Sequence, residues 1–164
     1  MQVSEVSVAH SMLQRMRDAP QEYSAREKVQ AMEHEICKSP EAIYELPVFH
    51  HFSFGLYARE LHIKKGMITV GKIHKYPCLN ILAKGDRSTL IDGQLVRIKA
   101  PHVHVAPAGM KRISYSHEDS VWITVHATQE TELDKLEEEL VANTEQEYQD
   151  FCKAIEMDRQ KCLG

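Results

Sequence analysis

Val8, Met12 and Met16 recur at the spacing of one helical face, and Ala19-Pro20 breaks that run. Ser24 with Glu27 forms a capping-box pattern ahead of Val29, Met32 and Ile36, which again share a face. Ser39-Pro40 supplies an N-cap followed by proline at a first helical position, so AIYEL opens another short helix. From about Ser4 to Glu45 the expectation is therefore helical.

The period then changes from helix to strand. LYARELHI alternates, Lys64-Lys65-Gly66 turns, and MITVGKIHKY alternates again with Ile68, Val70, Lys72, His74 and Tyr76 on one side. Pro77 interrupts the ladder, as at a strand edge or bend. LNILA, a Gly85-Asp86 turn, STLI, an Asp92-Gly93 hairpin signal and QLVRI follow. HVHVA, KRISYS and VWITVHA complete about eight short strands, the signature of a sandwich or barrel. Beyond Glu130 the chain is again helical. Thr131 with Asp134 caps a helix carrying Leu133, Leu136 and Leu140, and Asn143-Thr144 with Glu147 starts one bearing Tyr148, Phe151 and Ile155. The acids between Glu130 and Asp150 read as a solvated face.

A length of 164 residues fits one domain with terminal additions: a helical extension over 1–49, a β-barrel over 50–128, and acidic helices over 129–164. A net charge of −4 without a basic stripe points away from nucleic acid. Neither a secretory leader nor an apolar stretch of membrane-spanning length is expected, so no membrane partner is. Cys37, Cys78, Cys152 and Cys162 are scattered without a CxxC pair, which suits a soluble protein of a reducing compartment, the cytoplasm.

Two stretches carry a resemblance. GKIHKYPCLNILAKG places Gly71, His74, Tyr76, Asn80 and Gly85 where a cupin has a glycine, two histidines, a glutamate and a closing glycine. PAGMKRISYS has the Pro-x-Gly of that family at Pro107 and Gly109, with Arg112 in place of its third histidine. The region from His50 to Thr128 thus resembles a cupin, and of the four usual metal ligands only His74 stands in place. GLYARELHI, LNILAKGD and HEDSVWITVHAT are further similar to small cupin-type proteins of tailed bacteriophages and prophages. The resemblance implies a mainly β, cupin-like double-sheet jelly-roll barrel with helical N- and C-terminal extensions. It also implies a viral source acting in the host bacterial cytoplasm, and a homodimer by family analogy.

Alternate positions of a small barrel point inward. With His74 inward, Lys72 and Tyr76 are expected beside it; with Arg112 inward, Ser114 and Ser116 follow. Trp122, Thr124 and His126 share the polar side of the last strand. The expected lining is Lys72, His74, Tyr76, Asn80, Arg112, Thr124 and His126, with Tyr76 and Trp122 free to stack on a ring. Arginine keeps its proton and its fork matches phosphate or carboxylate, so this set suits a small anion, a nucleotide or sugar phosphate, in a metal-free basic pocket. Capture of a host signalling nucleotide is one use of it. A metal-dependent oxygenase or isomerase is the alternative: His74 and His126 would share a divalent transition metal with a third ligand from His50, His51 or His62. Proton transfer by His74 or His126 with Tyr76 as acid is a metal-free variant. A non-catalytic partner protein acting through its helices is a third reading. Arg112 paired structurally with a buried carboxylate such as Glu60 is the plain alternative to a pocket. Val103 and Val105 suggest that His102 and His104 face outward, with the inside of a barrel as the alternative for the polar side, and Cys78 reads as a small buried residue.

Overall fold

A computed structural model describes residues 14, 25–38, 46–91 and 94–162. The expected helices around Met12 and Ile43, His10, and the Asp92-Gly93 turn fall outside the described residues. Helix α1 spans Ala25–Cys37. The strands are β1 (Val48–Ser53), β2 (Leu56–Ile63), β3 (Ile68–Val70), β4 (Ile73–His74), β5 (Cys78–Lys84), β6 (Asp86–Ile91), β7 (Gln94–Lys99), β8 (His102–Ala106), β9 (Ile113–Ser116) and β10 (Ser120–Ala127). Helix α2 (Leu133–Leu140), strand β11 (Val141–Ala142) and helix α3 (Glu145–Cys162) complete the chain.

The strands form a five-stranded sheet in the order β1-β2-β10-β5-β8, a four-stranded sheet in the order β3-β9-β6-β7, and a small β11-β4 ladder. Without β1 and the small ladder, eight strands remain, four in each sheet, every pair antiparallel. This is the strand order of a jelly roll, two Greek keys folded face to face. The architecture is mainly β with helical extensions, as expected. No helix among the described residues is long and apolar enough to cross a membrane.

MITVGKIHKY is not one strand. Gly71 and Lys72 separate β3 from β4, which belong to different sheets, and Tyr76-Pro77 bends the chain into β5. His50 and His51, expected to precede the first strand, lie within β1. The β6–β7 hairpin closes with Ile91 opposite Gln94.

One apolar cluster lies on the back of the four-stranded sheet. Val29, Leu90 and Ile113 are buried together, with Met32, Ile36, Ile68, Val70 and Leu95 packed around them. The Val29 face of α1 thus covers β3, β6, β7 and β9, each large side chain contributing roughly 1.5–3 kcal/mol by leaving water. The opposite face of that sheet carries Thr69, Arg87, Thr89, Ser114 and Ser116, because side chains alternate along a strand. It looks toward the second sheet, where the Arg87 guanidinium lies 5.3 Å from the Trp122 ring. The space between the sheets therefore holds a polar cluster beside buried Ile63, Leu82 and Ile98.

The C-terminal elements close one end. Leu136 and Leu140 of α2 pack on Tyr57 of β2 together with Val141. Val141 pairs with His74 and Ala142 with Ile73, and the Lys75 amide donates to the Leu140 carbonyl at 2.9 Å. The expected Thr131 cap is replaced: the Glu130 carboxylate accepts from the Thr131 and Glu132 amides, and the N-cap Glu132 makes no side-chain cap bond. At α3, the Thr144 hydroxyl accepts from the Glu147 amide and the Glu147 carboxylate accepts from the Asn143 amide, as the pattern predicts. Arg26 joins α1 to α3, donating to both Glu145 carboxylate oxygens at 2.7 and 2.9 Å and to the Gly109 carbonyl at 2.6 Å. Gly109 has φ +78°, and a Cβ there would sit 2.5 Å from the Tyr148 hydroxyl. That close approach accounts for the glycine of Pro-x-Gly.

Candidate functional site

The inward residues of the two sheets build one polar interior. Trp122, Thr124 and His126 project from β10, with Thr124 opposite Asn80 on β5 and Asn80 opposite His104 on β8. Asn80 is 1% exposed, and its amide oxygen accepts from the Thr124 hydroxyl at 3.0 Å and the Trp122 indole at 3.2 Å. Its amide nitrogen contacts Cys78 Sγ at 3.5 Å. The bonds to its oxygen fix the indole of Trp122 and the hydroxyl of Thr124.

Arg112 precedes β9 and donates Nη1 to His104 Nε2 at 2.7 Å, while its Nε lies 3.1 Å from Met110 Sδ. Its guanidinium and that of Arg87 each stand 5.3 Å from the Trp122 ring. Arg87 is only 3% exposed and donates Nη2 to the Thr69 hydroxyl at 2.5 Å. Burial first, and then Arg112, lowers the Arg87 pKa to about 10, so it stays a cation at neutral pH. Arginine can only donate, so His104 Nε2 is the acceptor and its ring proton sits on Nδ1. Burial, followed by Arg112 and His102, pushes the His104 pKa down to about 4, in agreement with a neutral ring.

The unpartnered atoms are the main signal. His104 Nδ1, Arg87 Nε and Arg112 Nη2 are buried donors without a partner, and the ring nitrogens His74 Nδ1 and His126 Nδ1 and the Ser116 hydroxyl are likewise buried and unpartnered. Each unmet buried polar group costs about 1–3 kcal/mol. The one buried carboxylate among the described residues, Asp86, sits on the other face of β6 and is held by Arg97 through two 2.9 Å bonds. Donors and positive charge are therefore in surplus between the sheets.

At the other end of the interior the His74 and His126 rings stack with centroids 5.2 Å apart, and Tyr57 stands 6.5 Å from His126. Burial, then His126, Arg112 and Arg59, lowers the His74 pKa to about 3; burial also lowers that of His126. Both rings are neutral at physiological pH. Their neighbour Cys78 is 3% exposed, and burial raises its thiol pKa.

Of the seven residues expected in the lining, His74, Asn80, Arg112, Thr124 and His126 are brought together. Lys72 and Tyr76 are not. Lys72 pairs with Glu137 on the surface, and Tyr76 is 42% exposed with its ring against Phe151, centroids 5.3 Å apart. The parity argument placed them beside His74, but parity holds only within a continuous strand, and β4 is two residues long. The stacking role expected for Tyr76 and Trp122 is corrected too: Tyr76 is outside, and both guanidiniums stand against the Trp122 ring. Glu60 does not meet Arg112; it takes His51 at 2.9 Å and His62 at 2.6 Å on the outer face. His50 holds the Tyr57 hydroxyl at 2.8 Å, so none of His50, His51 and His62 joins His74 and His126. His102 and His104 face inward, and it is Val103 and Val105 that are outside, at 56% and 67% exposure. Sequence reasoning missed Arg87, His104 and Cys78 as site residues. The alternation of HVHVA held the signal for His104, had the polar side been taken as the inner one, as it was for VWITVHA.

No family model matches the chain, and no curated protein does. Solved structures with a related fold include cupin-domain proteins. One is the cupin-2 domain of an XRE family transcriptional regulator from Enterobacter cloacae, with TM-score 0.44, 10% identity, and 52% of this chain and 98% of that one covered. A cupin superfamily protein from Desulfitobacterium hafniense gives TM-score 0.44 and 10% identity over 56% of this chain and 85% of that one. KdgF from Halomonas sp. gives TM-score 0.44 and 18% identity over 55% and 81%.

Proposed function

We propose that the jelly-roll interior binds a small anionic ligand through Arg112, Arg87 and His104, with Asn80 and Thr124 holding Trp122 in place. The observation that carries this is the surplus of donors: three buried N–H groups on these residues lack acceptors, and no carboxylate faces them among the described residues. A phosphate or carboxylate brings several acceptor oxygens and negative charge together, and charge-assisted bonds of this kind contribute about 1.5–3 kcal/mol each. With the aromatic rings already engaged, a compact anion such as a sugar phosphate fits this donor set better than a ligand that depends on a stacked base. The finer form of the reading, a phage protein that sequesters a host signalling nucleotide in the bacterial cytoplasm, rests on the sequence resemblance.

Trp122 is the one tryptophan in the chain and reports on its own site. Inorganic phosphate, a pentose phosphate and a cyclic nucleotide, each titrated against the chain, should change its emission saturably if they bind. Arg112→Met should weaken binding about 10- to 100-fold, the equivalent of one charge-assisted bond, with the fold intact by circular dichroism. An unchanged affinity in Arg112→Met would remove the proposal. Preference for the nucleotide over the sugar phosphate would support the finer form.

A further inference from the structure

His74, Cys78 and His126 come from β4, β5 and β10, yet one ligand atom from each lies within 4.8 Å of the others. The Tyr76-Pro77 bend folds the chain back so that two residues four apart meet at one point, and β10 supplies the third. His126 is 5% exposed with a buried, unpartnered Nδ1, and His74 Nδ1 is unpartnered as well. Ile73, Ala106 and Ala142, each at most 1% exposed, are among the buried apolar residues of these same strands and their partners. Two neutral imidazoles and a thiol, with no carboxylate, form a soft donor set. It excludes magnesium and calcium, which require oxygen, and suits zinc or a neighbouring late first-row ion.

We infer that His74, Cys78 and His126 form a three-ligand site for a zinc-class divalent cation, with a fourth position open to the barrel interior. The thiolate supplies the negative charge that would otherwise come from a carboxylate, and its proton leaves to solvent when the ion binds. Tetrahedral zinc holds N and S ligands roughly 3.3–3.6 Å apart, so the set closes by about 1 Å on binding. Asn80, in contact with Cys78 Sγ, orients the sulfur from behind. Neutral His74 and His126 present their lone pairs without prior loss of a proton. This goes beyond the anion reading and does not depend on it.

The test uses cobalt(II) as a spectroscopic stand-in, titrated into the chelator-treated full chain. One equivalent should bind, with the visible bands of a four-coordinate ion and a near-ultraviolet thiolate-to-cobalt band. Loss of an outer partner already costs about 10–100-fold in affinity, so Cys78→Ser should weaken cobalt at least ~100-fold and abolish the thiolate band. Arg112→Met removes a positive charge that acts on His74 and Cys78, so it should bind cobalt at least as tightly as the parent while losing phosphate, which separates this inference from the anion reading. Should Cys78→Ser fail to fold, His74→Asn, at a part-exposed position, should lose cobalt affinity to the same degree. Absence of saturable one-to-one binding overturns the inference. So does a thiolate band that persists in Cys78→Ser, which would assign it to another of the chain's four cysteines, or cobalt affinity unchanged in His74→Asn.

Discussion

Arg87 lies on the inner face of the four-stranded sheet with its Nε unpartnered and, among the described residues, no carboxylate within the interior. A buried guanidinium in this state destabilises the empty protein, and an apolar residue of similar volume removes that cost. Arg87→Met should therefore raise the stability of the ligand-free chain by about 1–3 kcal/mol in urea unfolding, while phosphate binding weakens. A destabilised variant would show that Arg87 is structural. His104 leads to a pH prediction. Its pKa is about 4 folded against 6.5 unfolded, so below pH 6.5 the unfolded chain takes up a proton that the folded one refuses. Its contribution to stability is complete above 6.5 and declines as the pH falls toward 4. The slope of the thermal midpoint between pH 6.5 and 4 should be shallower in His104→Gln than in the parent. Arg112 was legible because it interrupts a recognisable motif. Arg87 was not, since it falls between the Gly85-Asp86 turn and the STLI strand, and only the pairing of β6 between β7 and β9 buries it.

Among the elements, the strands were legible from their alternation, and their faces were not. Alternation separates two sides of a strand but does not say which side meets another sheet. On β10 and β8 the polar side is inner, and on β9 it is inner because α1 covers the apolar back. Each element that extends the barrel is held by a few large side chains. Leu136 of α2 is 2% exposed against Tyr57, so Leu136→Ala should cost about 2–4 kcal/mol in urea unfolding. A loss below about 1 kcal/mol would mean that α2 does not seal that end of the barrel. The Thr144–Glu147 capping box was readable because it is local; the Glu130 arrangement at α2 was not, because it replaces one plausible cap by its neighbour.

For the whole molecule, the C-terminal helices are tied to the barrel through the β11-β4 ladder, the Tyr57 cluster and Arg26. Helical ellipticity and Trp122 emission should therefore report one coincident urea transition. Separate midpoints would show that the helices and the barrel unfold independently. The sequence by itself determined the order of helices and short strands, the polar and apolar sides of each, and the replacement of the expected ligands at Tyr76, Asn80 and Arg112. These are local properties, set by periodicity, turn residues and motif spacing. Only the tertiary structure decided that the polar sides face one another, that Arg87 and His104 join Arg112, that Cys78 meets His74 and His126, and that Lys72 and Tyr76 stay outside. Those outcomes depend on which strands pair and on where α1 and α2 lie, contacts between residues far apart in the chain that no local pattern encodes.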